Sequence, residues 1–141
     1  MRGLYRLLLI LVMLMPTILW GQYHDRQIPG IVETYFQRNR TAPTLLRVEV
    51  TEDAFYGRTL RVKIQGNRNT RDADLGFAFG AAAAIANYAN DPIASIWVEM
   101  NLVYKEVETV IAVAPAPCSI DAIVRHSRTF EDWWDNCLEL L

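Results

Sequence analysis

Residues 75–89 read LGFAFGAAAAIANYA, and this stretch decides how the rest of the chain is arranged. Apolar side chains occur on almost every side of the helix that it predicts, and a helix of that kind is buried. Gly76, Gly80 and Ala84 recur at every fourth position and give the helix one smooth side, which can lie close to a sheet or to another helix. Polar residues bracket the run, which is too short to span a membrane. The stretch therefore predicts a central core helix.

Two predicted β-hairpins flank this helix. Before it, apolar and polar residues alternate over residues 46–51 and 60–65, the pattern of strands with one buried face. After it, the alternation returns over residues 96–103 and 107–113, with a turn at residues 104–106 between them. The core-facing residues predicted for the first hairpin are Leu46, Val48, Val50, Leu60, Val62 and Ile64.

The remaining segments predict helices. Residues 28–36 carry an amphipathic stripe, and residues 120–126 and 130–140 predict two short helices after the second hairpin. The element order is then α-β-β-α-β-β-α-α. The fold class that this order predicts is α+β, with a four-stranded antiparallel sheet and the helices packed on one face.

The N-terminal segment has the features of an export signal. Arg2 and Arg6 are followed by the unbroken apolar run of residues 7–15, and Pro16 then interrupts the helix. Gly21 is a small residue at which a peptidase could cut before Gln22. Residues 1–21 are therefore predicted to be a cleavable signal peptide, and residues 22–141 a single domain. The alternative is an uncleaved anchor, although residues 7–20 are shorter than the roughly 20 residues that a membrane span needs.

Charge and composition exclude some classes of partner. Without Arg2 and Arg6, twelve basic side chains stand against sixteen acidic ones, a net charge of −4. This balance argues against nucleic acid as a partner, and against a membrane surface once the signal peptide is removed. The sequence does not indicate the oligomeric state.

Cys118 and Cys137 are the two cysteines of the chain, and both lie in its last quarter. An even number of cysteines in an exported protein usually indicates a disulfide. We therefore predict a Cys118–Cys137 bond that links the two short C-terminal helices. The predicted location is periplasmic or extracellular.

The sequence contains no recognisable catalytic, nucleotide or metal motif. His24 lies close to the predicted mature terminus, and His126 closes a short helix, so neither belongs to a catalytic pattern. Asp72 and Asp74 fit helix capping better than a cation site. We accordingly predict no catalytic residues, no metal ligands and no cofactor.

The polar faces of the two hairpins carry the candidate binding residues. Arg47, Arg61 and Lys63 share the polar face of the first hairpin, with Glu49 expected as its only acidic residue. On the second hairpin we expect that same face to carry Trp97, Val110 and Ala112 beside Glu99, Asn101 and Glu108. The alternative is that Trp97 lies under the C-terminal helices. If the helices cover the opposite face, these side chains form an open surface. The predicted binding residues are Arg47, Arg61, Lys63 and Trp97.

Phe55 and Tyr56 occupy the loop of the first hairpin. Aromatic residues in such a loop either contact a partner or fold back on the core, and the sequence leaves both possibilities open.

These observations favour a non-enzymatic binding or assembly module of the cell envelope or extracellular space, with a protein or glycan as its partner. Two alternatives stay open. One is a small exported hydrolase built from scattered Asp, Glu and His residues, and the other is an envelope protein that keeps its N-terminal anchor.

The export hypothesis predicts where the mature chain begins. Because Gly21 is the small residue that follows the apolar run, we expect the mature protein to start near Gln22. Intact-mass spectrometry of protein exported by the native host should show the loss of residues 1–21. Recovery of the full-length chain from a membrane fraction would support the anchored alternative.

Overall fold

The computed structural model describes residues 22–141. The predicted signal peptide, residues 1–21, lies outside the described residues, so the predicted cleavage stays a prediction. Among residues 22–141, no helix has the length and apolar character needed to cross a membrane.

The described residues form four α-helices and one sheet of five strands, which confirms the α+β class. The helices are α1 (Ile28–Arg38), α2 (Arg71–Ala86), α3 (Ala116–Ser119) and α4 (Phe130–Asn136). The strands are β1 (Thr44–Asp53), β2 (Gly57–Gly66), β3 (Ser95–Val103), β4 (Val107–Pro115) and β5 (Glu139–Leu140). A 3₁₀ turn, Arg68–Thr70, leads into α2, and a π-helical turn, Ile120–Val124, continues α3.

The core lies between one face of the sheet and the helices. Helix α2 is the buried helix predicted from residues 75–89, and its residues Ala78, Ala81 and Ala82 are fully buried. Their short side chains allow α2 to lie close to β2 and β3, which it contacts. Trp133 of α4 is fully buried against Phe79, with 5.1 Å between the ring centroids, so α4 packs on α2 as well.

The sheet is mixed, and the prediction of a wholly antiparallel, four-stranded sheet is wrong. Its strand order is β1-β2-β3-β4-β5, and the central pair β2–β3 is parallel. The reason is the crossover: α2 carries the chain back along the sheet, so that β3 starts at the same end as β2. Both hairpins, β1–β2 and β3–β4, are antiparallel as predicted.

The fifth strand replaces the end of a predicted helix. We expected a helix over residues 130–140, but α4 ends at Asn136, and β5 pairs with Ala112 and Val113 of β4. The Leu141 N–H then donates to the Ile111 carbonyl at 2.9 Å. These bonds satisfy backbone groups at the outer edge of β4, which a longer helix would leave unpaired.

A bulge in β1 changes which leucine faces the core. The pairing with β2 shifts between Leu45 and Arg47, so the predicted core position of Leu46 is wrong. Leu46 is 46% exposed, whereas Leu45, Val48 and Val50 pack against the core. An extra residue in one strand has this effect because it breaks the strict alternation of side chains.

The register of the second hairpin also differs from the prediction. Trp97 pairs with Val113, whereas Val110 and Ala112 pair with the core residues Met100 and Val98. Val110 and Ala112 therefore lie on the core face, and their predicted place beside Trp97 is wrong. The turn at residues 104–106 pairs Val103 with Val107, and a slip of one residue in that register would exchange the two faces of β4.

The disulfide prediction is confirmed. Cys118 is bonded to Cys137, with 6.5 Å between their α-carbons, inside the usual range for a disulfide. The bond joins α3 to the residue that follows α4. It therefore holds α4, and with it the buried Trp133, against the rest of the chain.

Removal of this bond should destabilise the protein. The two cysteines are 19 residues apart. For a loop of that size, the chain-entropy model gives a loss of about 3 kcal/mol in the free energy of unfolding. We expect this loss for the Cys118→Ser/Cys137→Ser variant in chemical denaturation, and a similar loss for the wild type in reductant. Reductant should leave the variant unchanged, and a variant as stable as the oxidised wild type would contradict the prediction.

Candidate functional site

The sheet brings the four predicted binding residues together on the face opposite the helices. Arg47 lies on β1, Arg61 and Lys63 on β2, and Trp97 on β3. In the pairing register, Arg47 is opposite Lys63, and Arg61 is opposite Trp97. Together with Glu49 and Glu99, these four line a shallow depression of about 120 Å³. We call this surface the open face.

Each cation of the open face lies beside a carboxylate. Arg47 pairs with Glu49 at 2.9 Å, and Lys63 pairs with Glu99 at 3.1 Å. Arg61 pairs at 3.1 Å with Asp53, which lies at the end of β1. Glu49 and Glu99 both lie on this face, as the sequence predicts, and Asp53 at the end of β1 adds a carboxylate that was not predicted there. The open face therefore presents alternating positive and negative charges.

Trp97 is the centre of a cluster of one cationic and three aromatic side chains. The Arg61 guanidinium lies over the Trp97 ring, 4.4 Å from its centroid, and the Tyr56 ring meets that ring edge-on at 5.7 Å. Phe55 in turn meets the Tyr56 ring edge-on at 4.8 Å. Cation–π and edge-to-face contacts of this kind are attractive. We call these four residues the Trp97 cluster.

The two aromatic residues of the first hairpin loop differ: one folds back onto the protein and the other is exposed. Tyr56 is half-buried because it folds back onto Trp97. Phe55 is 85% exposed, so most of its ring stays accessible to a partner. Gly57 follows in the left-handed region with φ of 74°, a conformation that glycine adopts without strain.

Asp53 organises the loop that carries Phe55 and Tyr56. Its Oδ1 accepts hydrogen bonds from the backbone N–H groups of Tyr56 at 2.9 Å and Phe55 at 2.8 Å, and Oδ2 faces Arg61. These backbone bonds, with a smaller contribution from the charge of Arg61, lower the pKa of the Asp53 carboxyl below that of an ordinary aspartate. Asp53 therefore stays ionised and fixes both the loop and one side of Arg61.

No sequence pattern indicates the ion-pair centre at Arg58. Arg58 is mostly buried and pairs with Asp25, Glu52 and Asp91, which belong to the N-terminal segment, β1 and the segment before β3. The hydrogen bond to Asp25 raises the pKa of Arg58 above its ordinary value. These partners are far apart in sequence, so no local pattern could reveal them. Arg58 fixes the start of the described chain beside the first hairpin.

The other polar residues considered from the sequence do not join the open face. His24 and His126 are exposed elsewhere. Asp74 accepts hydrogen bonds from the Asn67 N–H at 3.1 Å and from the Thr70 hydroxyl at 2.8 Å, which stabilise the start of α2. Within residues 22–141, no group of three or more His, Cys, Asp and Glu side chains is placed to hold a metal ion.

The lowered pKa of Asp53 makes the hairpin loop sensitive to acid. The ionised Asp53 carboxylate stabilises the folded protein fully at pH values above the pKa of an unfolded aspartate. This stabilisation is lost as the pH falls through the lower pKa that Asp53 has in the folded state. In an NMR titration, the Asp53 carboxyl carbon should have a midpoint below about 3.9. The amide protons of Phe55 and Tyr56 should shift with the same midpoint, because both donate to this carboxylate. A midpoint above the ordinary value would contradict the assignment.

Comparisons with protein-family models, with curated protein sequences and with solved structures found no match for this chain. The functional argument therefore starts from the chain's own residues. Its central feature is the open face, where charged pairs on β1, β2 and β3 surround Trp97.

Proposed function

We propose that the protein is a non-enzymatic binding or assembly module and that the open face is its binding surface. The observation that carries this proposal is the position of Arg47, Arg61, Lys63 and Trp97 on one sheet face, opposite the core and the helices. A shallow surface with a central Trp and Arg resembles the centre of a protein–protein interface, where these two residue types are enriched.

The charge pattern indicates the kind of partner. Because each cation already lies beside a carboxylate, the best fit is a protein surface whose own charges alternate in the complementary order. A glycan is the other class of partner for which Trp97 and the surrounding hydrogen-bonding groups are suited.

The paired side chains are also held in place before a partner arrives. The side chains of Arg61 and Lys63 are 32% and 38% exposed, so both are accessible, yet each is tied to a carboxylate. Less side-chain entropy is then lost on binding than for free surface cations.

The proposed location is the cell envelope or the extracellular space. The Cys118–Cys137 bond supports this location, because disulfides persist in oxidising compartments and are rare in the cytosol.

A charge exchange tests the binding surface without removing an ion pair. In the Lys63→Glu/Glu99→Lys variant, opposite charges still face each other across β2 and β3, while the pattern offered to a partner is inverted. We expect its melting temperature to change by at most a few degrees, because exposed ion pairs contribute little to stability. Its affinity for the partner should fall at least tenfold.

The partner for this test is the envelope protein that crosslinks to a photoreactive group placed at the exposed position 55, in the Trp97 cluster. The matched control is Asp121→Arg/Arg125→Asp, which inverts an exposed ion pair between the π-helical turn and the residue that follows it. It should bind as the wild type does. If the Lys63/Glu99 exchange binds the crosslinked protein with unchanged affinity, the open face is not its binding site.

A further inference from the structure

Strand β1 forms one edge of the sheet. It is 10 residues long and pairs with β2 on one side, and its other side faces no strand within residues 22–141. The outer side of an edge strand presents unpaired N–H and C=O groups, which form a template for another strand. Between Thr44 and Asp53 there is no proline or lysine to block such pairing, and beyond the bulge at Leu46 the strand runs without interruption from Arg47 to Asp53.

A groove runs beside this edge. It lies between α1 and β1 and has a volume of about 470 Å³. Its apolar lining includes Phe36, Ala42, Pro43, Leu45, Leu46 and Val48. The bulge places Leu46 at this groove, where the side chain is 46% exposed. The free edge of β1 is therefore accompanied by apolar surface.

The charges on β1 identify an occupant. Arg47 and Glu49 lie on either side of Val48 and both point to the open face, where their side chains are 68% and 37% exposed. If a second β1 pairs antiparallel, centred on Val48, Arg47 comes opposite the partner's Glu49. By symmetry, Glu49 comes opposite the partner's Arg47. Opposite charges at facing positions stabilise an antiparallel pair.

The neighbouring apolar positions fit the same register. Two positions from the centre, the bulged Leu46 lies beside the partner's Val50, so an exposed leucine gains an apolar neighbour. A twofold axis through Val48 relates both sets of contacts, as in the common self-complementary dimer.

We propose that the protein forms a homodimer by antiparallel pairing of the two β1 edges, centred on Val48. The pairing joins two five-stranded sheets into one continuous sheet. It also places the two open faces side by side, so a dimer offers a partner a doubled surface. The dimer stands independently of the proposed binding function, because its support is the edge, the groove and the Arg47/Glu49 pattern.

Charge reversal and exchange at the centre of the pairing test the proposal. The molar mass of the purified protein, measured by analytical ultracentrifugation over a concentration series, should show a dimer. Arg47→Glu and Glu49→Arg each place like charges opposite one another twice per dimer, so each should raise the dimer dissociation constant about tenfold. The Arg47→Glu/Glu49→Arg variant restores opposite charges at both places and should restore the dimer.

The control variant is Arg125→Glu, which reverses a cation of similar exposure directly after the π-helical turn. It should dimerise as the wild type does. Amide hydrogen exchange gives a second readout, because the β1 amides should become protected as the protein concentration rises.

Three results would overturn the dimer: a monomeric mass at every concentration, a dimer that ignores the Arg47 and Glu49 reversals, or β1 amides that become protected only when a different protein is added. Molar mass measures association between copies, whereas the Lys63/Glu99 exchange measures partner binding. Failure of the dimer is therefore distinguishable from failure of the proposed function.

Discussion

Burial of α2 against the centre of the sheet is the contact on which the rest of the structure depends. Ala78, Ala81 and Ala82 are fully buried where α2 meets β2 and β3, which requires close approach of helix and sheet. Burial of larger residues such as Leu75 and Phe79 contributes roughly 1.5–3 kcal/mol each. Among residues 22–141, the helices lie on the face that α2 covers, and the side chains of the other face stay free of them. The same helix makes β2 and β3 parallel, and so sets the register that brings Arg61 to Trp97.

The elements of this fold could be predicted from periodicity, but their pairing could not. Alternation identified the strands and the apolar run identified α2, because both patterns depend on which side of an element is buried. Alternation does not indicate which strand is the neighbour of β3. The parallel pairing of β2 with β3 could therefore not be predicted. The bulge at Leu46 and the short strand β5 were missed because each depends on backbone groups of a neighbouring strand.

In the candidate site as well, contacts within one hairpin could be predicted, whereas contacts between the two hairpins could not. The common face of Arg47, Arg61 and Lys63 follows from alternation within one hairpin, and the structure places them so. The carboxylate beside Lys63 comes from Glu99, 36 positions away, and only the parallel register brings the two together. The common face of Lys63 and Glu99 could therefore be predicted, but their ion pair could not.

The parallel pairing of β2 with β3 also has a consequence for how the chain folds. Each hairpin closes a short loop, and loops of that size form quickly. The contact between β2 and β3 closes a far longer loop through α2. The chain therefore loses the entropy of that loop before the stabilising contacts between the two strands form. Such non-local pairing slows folding and leaves strand edges unpaired for longer. The parallel pairing of β2 with β3, rather than either hairpin, therefore supplies the long-range contacts that define the native topology.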